Sequence, residues 1–283
     1  MRELFNQAAK ITNNNIILTI PLIIFIKVLD LYSFFSRYHI DTTPKLLLAY
    51  ITILFMCGVF CAGWFYMIKG AVKLSEKVFV LDSDRANASL GLFKCIPEGV
   101  GKYFLSFVGV YIILFFIQIL STPLVYMLGI NLIGGLDEVS TQQLLQAASD
   151  PSFATNAGMA SFVESLTSDQ IVFFGKWSLL FMLATSFVMY LLMLWVPEII
   201  YKTKNPILAL WRSVVKVFKD FWNTSRLFLS LWFSGFAILF VYTFAVINPL
   251  AYILVSILMF YFTVYLTVLV FLYYYKKYMA KNE

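Results

Sequence analysis

Long apolar stretches dominate the chain and alternate with short segments rich in polar or charged residues. A helix needs about 20 largely apolar residues to cross the hydrocarbon core of a bilayer, so each long stretch predicts a membrane-spanning helix. The predicted fold class is therefore all-α, a polytopic integral membrane protein whose residues 1–283 form a single membrane domain. The six predicted spans are 16–35, 46–67, 103–128, 171–199, 227–246 and 250–275.

The first span has a second interpretation, as a cleaved signal peptide. It follows a short segment that carries Arg2 and Lys10, as such a peptide would. However, Lys27 and Asp30 follow its most apolar part, and no cleavage site with the small-x-small pattern does. We therefore expect an uncleaved first span.

The composition excludes most other classes of protein. Apolar residues make up 61% of the chain and charged residues 13%, whereas a soluble domain has about 45–50% and about 25%. These values exclude a soluble globular enzyme, a disordered chain, a coiled coil and a secreted disulfide scaffold. Three cysteines and a single histidine, His39, cannot assemble a Cys/His zinc site. We expect no metal and no cofactor.

The basic residues are distributed asymmetrically around the predicted spans. Seventeen of the 21 Lys and Arg residues lie in the two terminal segments and in alternate loops, whereas only Arg37 and Lys45 lie in the other loops. Because cytoplasmic loops are enriched in Lys and Arg, this pattern predicts a multi-pass protein of the cytoplasmic (inner) membrane with both termini in the cytoplasm. The net charge of +6 follows from this topology, so we expect no nucleic-acid partner.

Residues 205–226, between the fourth and fifth spans, predict an amphipathic helix. Asn205 can cap it, and Pro206 suits the first helical position. We interpret the segment as a cytoplasmic helix in the membrane interface, whose basic face binds anionic lipid headgroups. Docking against the ends of the spans is the alternative, and both can hold. The apolar face comprises Ile207, Trp211, Val214, Phe218, Phe221 and Trp222, and the opposite face comprises Arg212, Lys216, Lys219 and Asn223.

Matching residues 124 positions apart indicate an internal repeat. Ser89 matches Ser213 at this offset, and 104–106 matches 228–230, both Phe-Leu-Ser. The repeat would relate 46–128 to 171–246 in the same orientation, as in some transporters. Chance matching between apolar segments is the alternative interpretation.

Two groups of polar residues lie within predicted spans. Lys27 and Asp30, three residues apart, share a helix face deep in the first span, where ionisable residues are costly and often functional. The alternative is a structural pair whose charges neutralise each other, or a lysine that extends to the surface. Gln118, Ser121 and Thr122 precede Pro123 in the third span. They could line a polar cavity or form hydrogen bonds between helices.

The loop 130–170 carries five acidic residues and no Lys or Arg. This composition is compatible with a lid or a vestibule that attracts cations on the outer face. A solvated loop, kept free of positive charge by the topology, explains it equally.

The segment 195–213 carries a recognisable combination of residues. It resembles bacterial membrane proteins of about six spans, which include the membrane domain attached to some glycerophosphodiester phosphodiesterases and the YciC-like proteins. In that group a span ends in Pro and an acidic residue, and Pro, Ala-Leu and Ser follow on a cytoplasmic amphipathic helix. The resemblance implies a bacterial membrane protein of unsettled activity. The corresponding positions are Pro197, Glu198, Pro206, Ala209, Leu210 and Ser213.

Catalytic motifs are absent from the sequence. It contains no Gly-rich phosphate loop, no HExxH and no nucleophile elbow, so we expect no enzyme. The predicted role is envelope maintenance, assembly or regulation through helix and lipid contacts. The alternative is a transporter or lipid-handling protein with a polar path between the repeats. Membrane lipids, with anionic headgroups at the cytoplasmic face, are the expected partners, and a protein partner or a homo-oligomer is left open.

Overall fold

Helices make up nearly all of the computed structural model, which describes residues 1–40, 42–135, 142, 156–245 and 248–279. No strand occurs within these ranges. Two short 3₁₀ turns, Ile16–Leu18 and Gly91–Lys94, connect helices. The α-helices are α1 (Arg2–Asn14), α2 (Thr19–His39), α3 (Thr43–Leu74), α4 (Asp82–Leu90), α5 (Cys95–Leu132), α6 (Asn156–Ser165), α7 (Ser168–Leu192), α8 (Trp195–Tyr201), α9 (Pro206–Lys219), α10 (Phe221–Ala245) and α11 (Pro249–Tyr278).

Six helical segments of the described chain are long and apolar enough to cross a membrane. They contain α2, α3, α5, α7, α10 and α11, one for each predicted span. The predicted all-α fold with six spans is therefore confirmed, and the chain is a multi-pass membrane protein.

The helix boundaries differ from the predicted spans where the local backbone chemistry interrupts or extends the apolar pattern. The predicted span 171–199 is divided into α7 and α8, because Pro197 lacks the N–H that would bond to the carbonyl of Met193. The predicted helix 205–226 ends at Lys219, since Asp220 leaves the helical conformation with φ −118° and ψ 39°. Phe221 then begins α10, so residues 221–226 belong to the fifth membrane helix.

The chain folds into two compact units. One comprises Met1–Ile113 and Tyr190–Glu283, and the other comprises Leu114–Met189. The assignment of 1–283 to one membrane domain and the repeat of 46–128 in 171–246 stay predictions.

In the first unit, the N-terminal helix packs against the C-terminal one. Helix α1 lies along α11, with Ala8 and Leu18 fully buried. The indole of Trp64, on α3, donates a hydrogen bond of 2.9 Å to the carbonyl of Leu18. Helix α1 also contacts α4, and α8 contacts α3, α9 and α11. The unit therefore gathers α1, residues 75–94, α8, α9 and the last turns of α11 at the same end. We call this region the basic end, because many of the lysines and arginines lie there.

In the second unit, the buried Trp177 of α7 packs directly on Gly129 of α5. A Cβ atom at residue 129 would lie 2.2 Å from the indole ring, so no larger residue fits without movement. Tyr126 extends the contact, with its ring centroid 5.7 Å from that of Trp177. This close approach joins α5 to α7.

Candidate functional site at the basic end

Helix α8 is buried in the centre of the basic end. Trp195, Glu198, Ile199 and Ile200 have almost no exposed surface. The indole of Trp195 donates to the carbonyl of Pro206, at 2.8 Å, which joins the start of α8 to the start of α9. The segment that carries the motif 195–213 therefore folds back on itself and supplies part of the core.

Side chains from α3 and α5 satisfy carbonyl groups at the end of α8 and just after it. The last carbonyls of a helix have no partner within the helix. Lys69 donates to the carbonyl of Ile200 at 2.8 Å, and Tyr103 donates to the same oxygen at 3.1 Å. Ser106 donates to the carbonyl of Lys204 at 2.6 Å. The connection between α8 and α9 is thus held in place from two neighbouring helices.

Glu198 is the buried acidic centre of the site, with only 1% of its surface exposed. Lys216 of α9 and the hydroxyl of Tyr274 on α11 both donate hydrogen bonds to its Oε2 atom. The guanidinium of Arg212 lies 4.0 Å from its Oε1 atom. The carboxylate therefore joins three helices, and a buried charge of this kind is tolerated because it is paired.

Lys216 has an environment that is unusual for a lysine. Its ammonium lies 4.5 Å from the ring centroid of Tyr274 and 4.8 Å from that of Tyr278, in cation–π geometry. Burial lowers the pKa of Lys216, and its hydrogen bond with Glu198 acts in the opposite direction. The ion pair with Glu198 therefore offsets part of the loss of hydration at this ammonium, and the pKa stays below its ordinary value.

A second acidic group, Asp220, lies at the junction of α9 and α10. Its carboxylate accepts hydrogen bonds from Tyr273 at 2.5 Å and from the Asn223 amide at 2.8 Å, and it pairs with Lys277 at 3.1 Å. Burial acts to raise the pKa of Asp220, but these donors outweigh it, so the pKa is lowered from its ordinary value of 3.8. An acidic residue at the start of α10 is also favoured by the helix dipole.

Three consecutive tyrosines on α11 donate to carboxylates on three different segments. Tyr273 contacts Asp220, Tyr274 contacts Glu198, and the hydroxyl of Tyr275 lies 3.0 Å from Glu76, just after α3. Successive side chains on a helix point about 100° apart, so adjacent residues reach different neighbours. The last turns of α11 thereby fix the end of α3, the helix α8 and the α9–α10 junction together.

Helix α9 presents apolar side chains outward. Ala209, Ser213 and Val217 form the buried face, whereas Ile207 is 68% exposed and Trp211 is 67% exposed. The predicted cap is confirmed, since the Asn205 side chain accepts from the backbone amides of residues 207 and 208. The exposed residues on this helix include Ile207, Leu208, Trp211, Val215 and Phe218.

The structure corrects one member of the proposed headgroup-binding face. Arg212 and Lys219 are exposed, but Lys216 turns toward the bundle and pairs with Glu198. The partners of Glu198 come from α9 and α11, and not from Lys202 and Lys204, which follow it closely in the sequence. The physical reason is that a buried carboxylate needs donors that are buried with it.

Four of the six motif residues, Pro197, Glu198, Pro206 and Ser213, lie where α8 and α9 meet each other and the end of α7. Pro197 and Glu198 are buried in α8, and the Ser213 hydroxyl donates to the carbonyl of Leu191 at 3.3 Å. The carbonyl of Pro206 accepts from Trp195. These residues fix the path of the chain between α7 and α9.

Lys27 and Asp30 form the predicted pair, with 3.1 Å between Nζ and Oδ2. Their side chains are 70% and 61% exposed, so the pair lies on the surface of α2 and does not face the bundle. The pair is therefore separate from the charged groups around Glu198 and Asp220 at the basic end.

The other candidate polar residues, Gln118, Ser121 and Thr122, belong to the second unit. The hydroxyls of Ser121 and Thr122 donate to the carbonyl of Gln118, at 3.3 and 2.8 Å, within the same helix. The interpretations as a polar cavity and as hydrogen bonds between helices stay predictions. Of the acidic loop 130–170, residues 136–141 and 143–155 lie outside the described residues.

Sequence reasoning missed Asp220 and the roles of the three tyrosines. The available signal was the run Tyr273-Tyr274-Tyr275 followed by two lysines, which is typical of residues at a membrane surface. That pattern carries no information about distant carboxylates. Within the described ranges, no group of three or more His, Cys, Asp or Glu side chains is arranged to hold a metal ion.

Comparison of the chain with protein-family models, curated proteins and solved structures finds no match. The functional proposal therefore rests on the geometry of the basic end.

Proposed function

We propose that the chain is a non-enzymatic, multi-pass protein of the bacterial cytoplasmic membrane, with its termini and basic end in the cytoplasm. In this proposal it acts in envelope maintenance, assembly or regulation, through contacts of α9 with lipids and with other helices. The resemblance to YciC-like proteins and to the membrane domain of some glycerophosphodiester phosphodiesterases belongs to the same proposal.

One observation carries this proposal: α9 is fastened to the bundle by buried polar contacts while its apolar side chains face outward. Trp195 holds the start of α9 by donating to the carbonyl of Pro206. At the other end, Glu198 accepts from Lys216 in the last turn, and Asp220 accepts from Tyr273 of α11. Trp211 and Phe218 remain exposed. A helix with exposed Trp and Phe beside basic residues suits the boundary between headgroups and acyl chains.

The charged groups of the basic end support a structural role for the site. Glu198 is paired with Lys216, and Asp220 is paired with Lys277. Both carboxylates also accept from tyrosine hydroxyls on α11. Groups paired in this way fix the position of helices, which is what a lipid-contacting or assembly surface requires.

The test is complementation in a bacterium that carries the gene. Its deletion is expected to sensitise growth to deoxycholate, because an envelope-maintenance protein is lost. The wild-type gene should restore resistance, whereas the double variant Trp211→Ser/Phe218→Ser should not, although the protein accumulates to the same level.

The matched control is Val80→Ser/Leu90→Ser, which removes two exposed apolar residues at the basic end outside α9. It should restore resistance fully. A deletion strain with an undisturbed envelope, or equal rescue by both double variants, contradicts the proposal. Movement of a phospholipid or solute by the protein in proteoliposomes would favour the alternative, transport or lipid handling.

A further inference from the structure

A cavity of about 580 Å³ opens at the basic end, between α1, the end of α3, α4 and the end of α11. Its volume lies within the range of small-molecule sites, about 300–1,000 Å³. Four basic side chains, each from a different segment, line it: Lys10, Lys77, Arg85 and Lys276.

The positive charges in this cavity exceed the negative ones. Glu76 is the one acidic residue among its described lining residues, and it accepts a hydrogen bond from Tyr275. Arg85 pairs with the exposed Asp82 at 3.3 Å. In the part of the chain that the structure describes, the three lining lysines, Lys10, Lys77 and Lys276, have no ion-pair partner. Cations that converge without matching anions repel each other, so a bound anion is stabilised here.

We propose that this cavity binds the phosphate of an organic phosphate ester, with the basic side chains on the phosphate oxygens. Lysine and arginine form short, charge-assisted hydrogen bonds to phosphate. The ester is either the headgroup of a phospholipid or a soluble metabolite. The site goes beyond the proposed function, because it does not involve α9.

Two binding measurements on the full-length protein separate these sources. In the first, glycerophosphoglycerol, the phosphatidylglycerol headgroup without its acyl chains, is titrated onto protein in phosphatidylcholine nanodiscs. In the second, phosphatidylglycerol is added to protein in detergent, and the retained lipid is counted by native mass spectrometry. Binding of the soluble probe identifies a phosphate ester from solution, and retention of lipid alone identifies a headgroup. Either result supports a phosphate site.

The variants locate the binding to the cavity. Lys10→Gln/Lys276→Gln should weaken binding by roughly tenfold or more, since two charge-assisted contacts are lost. Lys10→Arg/Lys276→Arg should retain it. The control Lys94→Gln/Lys202→Gln changes the net charge equally but lies outside the cavity lining, so it should bind like the wild type.

A further readout keeps the test independent of folding defects. Inorganic phosphate should displace glycerophosphoglycerol from the wild-type protein, whereas chloride at equal ionic strength should not. The proposal is overturned if the wild type binds neither glycerophosphoglycerol nor phosphatidylglycerol, or if the control pair weakens binding as much as the cavity pair.

Discussion

The buried pair of Glu198 and Lys216 should couple strongly in a double-mutant cycle. Glu198→Leu leaves Lys216 and the Tyr274 hydroxyl without their acceptor in a region that is almost closed to solvent. Breaking a buried ion pair by removing one partner costs about 3–5 kcal/mol. The Lys216 side chain keeps 20% exposure, which places the expected loss at the lower end, about 3 kcal/mol.

The other single change and the double change define the coupling. Lys216→Met leaves Glu198 with Tyr274 and with Arg212 at 4.0 Å, and we again expect a loss of about 3 kcal/mol. Glu198→Leu/Lys216→Met removes both charges, so its loss should be about 3 kcal/mol instead of the roughly 6 kcal/mol of independent sites, a coupling of about 3 kcal/mol. Glu198→Gln keeps the side-chain volume and should still destabilise, which assigns the effect to charge.

The assay is equilibrium unfolding of the purified protein in mixed micelles by titration with sodium dodecyl sulfate. Tryptophan fluorescence, to which the buried Trp195 contributes, follows the unfolding. The exposed ion pair of Glu98 and Lys102 is the control. Glu98→Ala and Lys102→Ala should each lower the free energy of unfolding much less than the changes at Glu198 and Lys216. Additive losses, or single changes as mild as this control, would refute the assignment of Glu198 and Lys216 to a buried, mutually dependent pair.

Three further predictions concern other charged groups and the topology. Lys27→Met or Asp30→Leu alone leaves a lone charge in the first span and should lower the folded yield in detergent more than the double change does; harmless single changes would contradict this. The pKa of Asp220 is lower in the folded protein than its unfolded value of about 3.8. The stabilisation of the fold by this carboxylate is therefore complete above a pH of about 3.8 and is lost as the pH falls through the lower folded pKa. Asp220→Asn should therefore flatten the acid side of a plot of thermal stability against pH, and an unchanged profile would refute the role. Alkaline phosphatase, which is active only outside the cytoplasm, should be active when fused near residue 150 and inactive after Glu283; the reverse would refute the topology.

The membrane helices could be predicted because their signal is local. Runs of about 20 apolar residues predict spans whatever surrounds them, and all six were confirmed. The start of α9 was also predictable, since Asn205 and Pro206 act on the backbone amides next to them. Both signals depend on residues that are adjacent in the sequence.

The partners of the charged residues could not be predicted, because they come from distant segments. Spacing indicates which residues share a face of α9, but it does not tell which face meets the bundle. Lys216 was therefore assigned to the headgroups, although it pairs with Glu198, 18 positions away. Tyr274 is 76 positions from Glu198, and no local pattern links them.

In the proposed function, α9 is fastened to the bundle on one face and exposes an apolar face at the membrane surface. Single spin labels at 207, 211 and 218, and at 209, 213 and 217, test it directly in nanodiscs that contain phosphatidylglycerol. We predict strong relaxation by lipid-soluble oxygen at the first three positions and protection at the second three, which gives a helical period of 3.6 residues. Uniform exposure to a water-soluble nickel complex, or equal protection at all six positions, would contradict the claim.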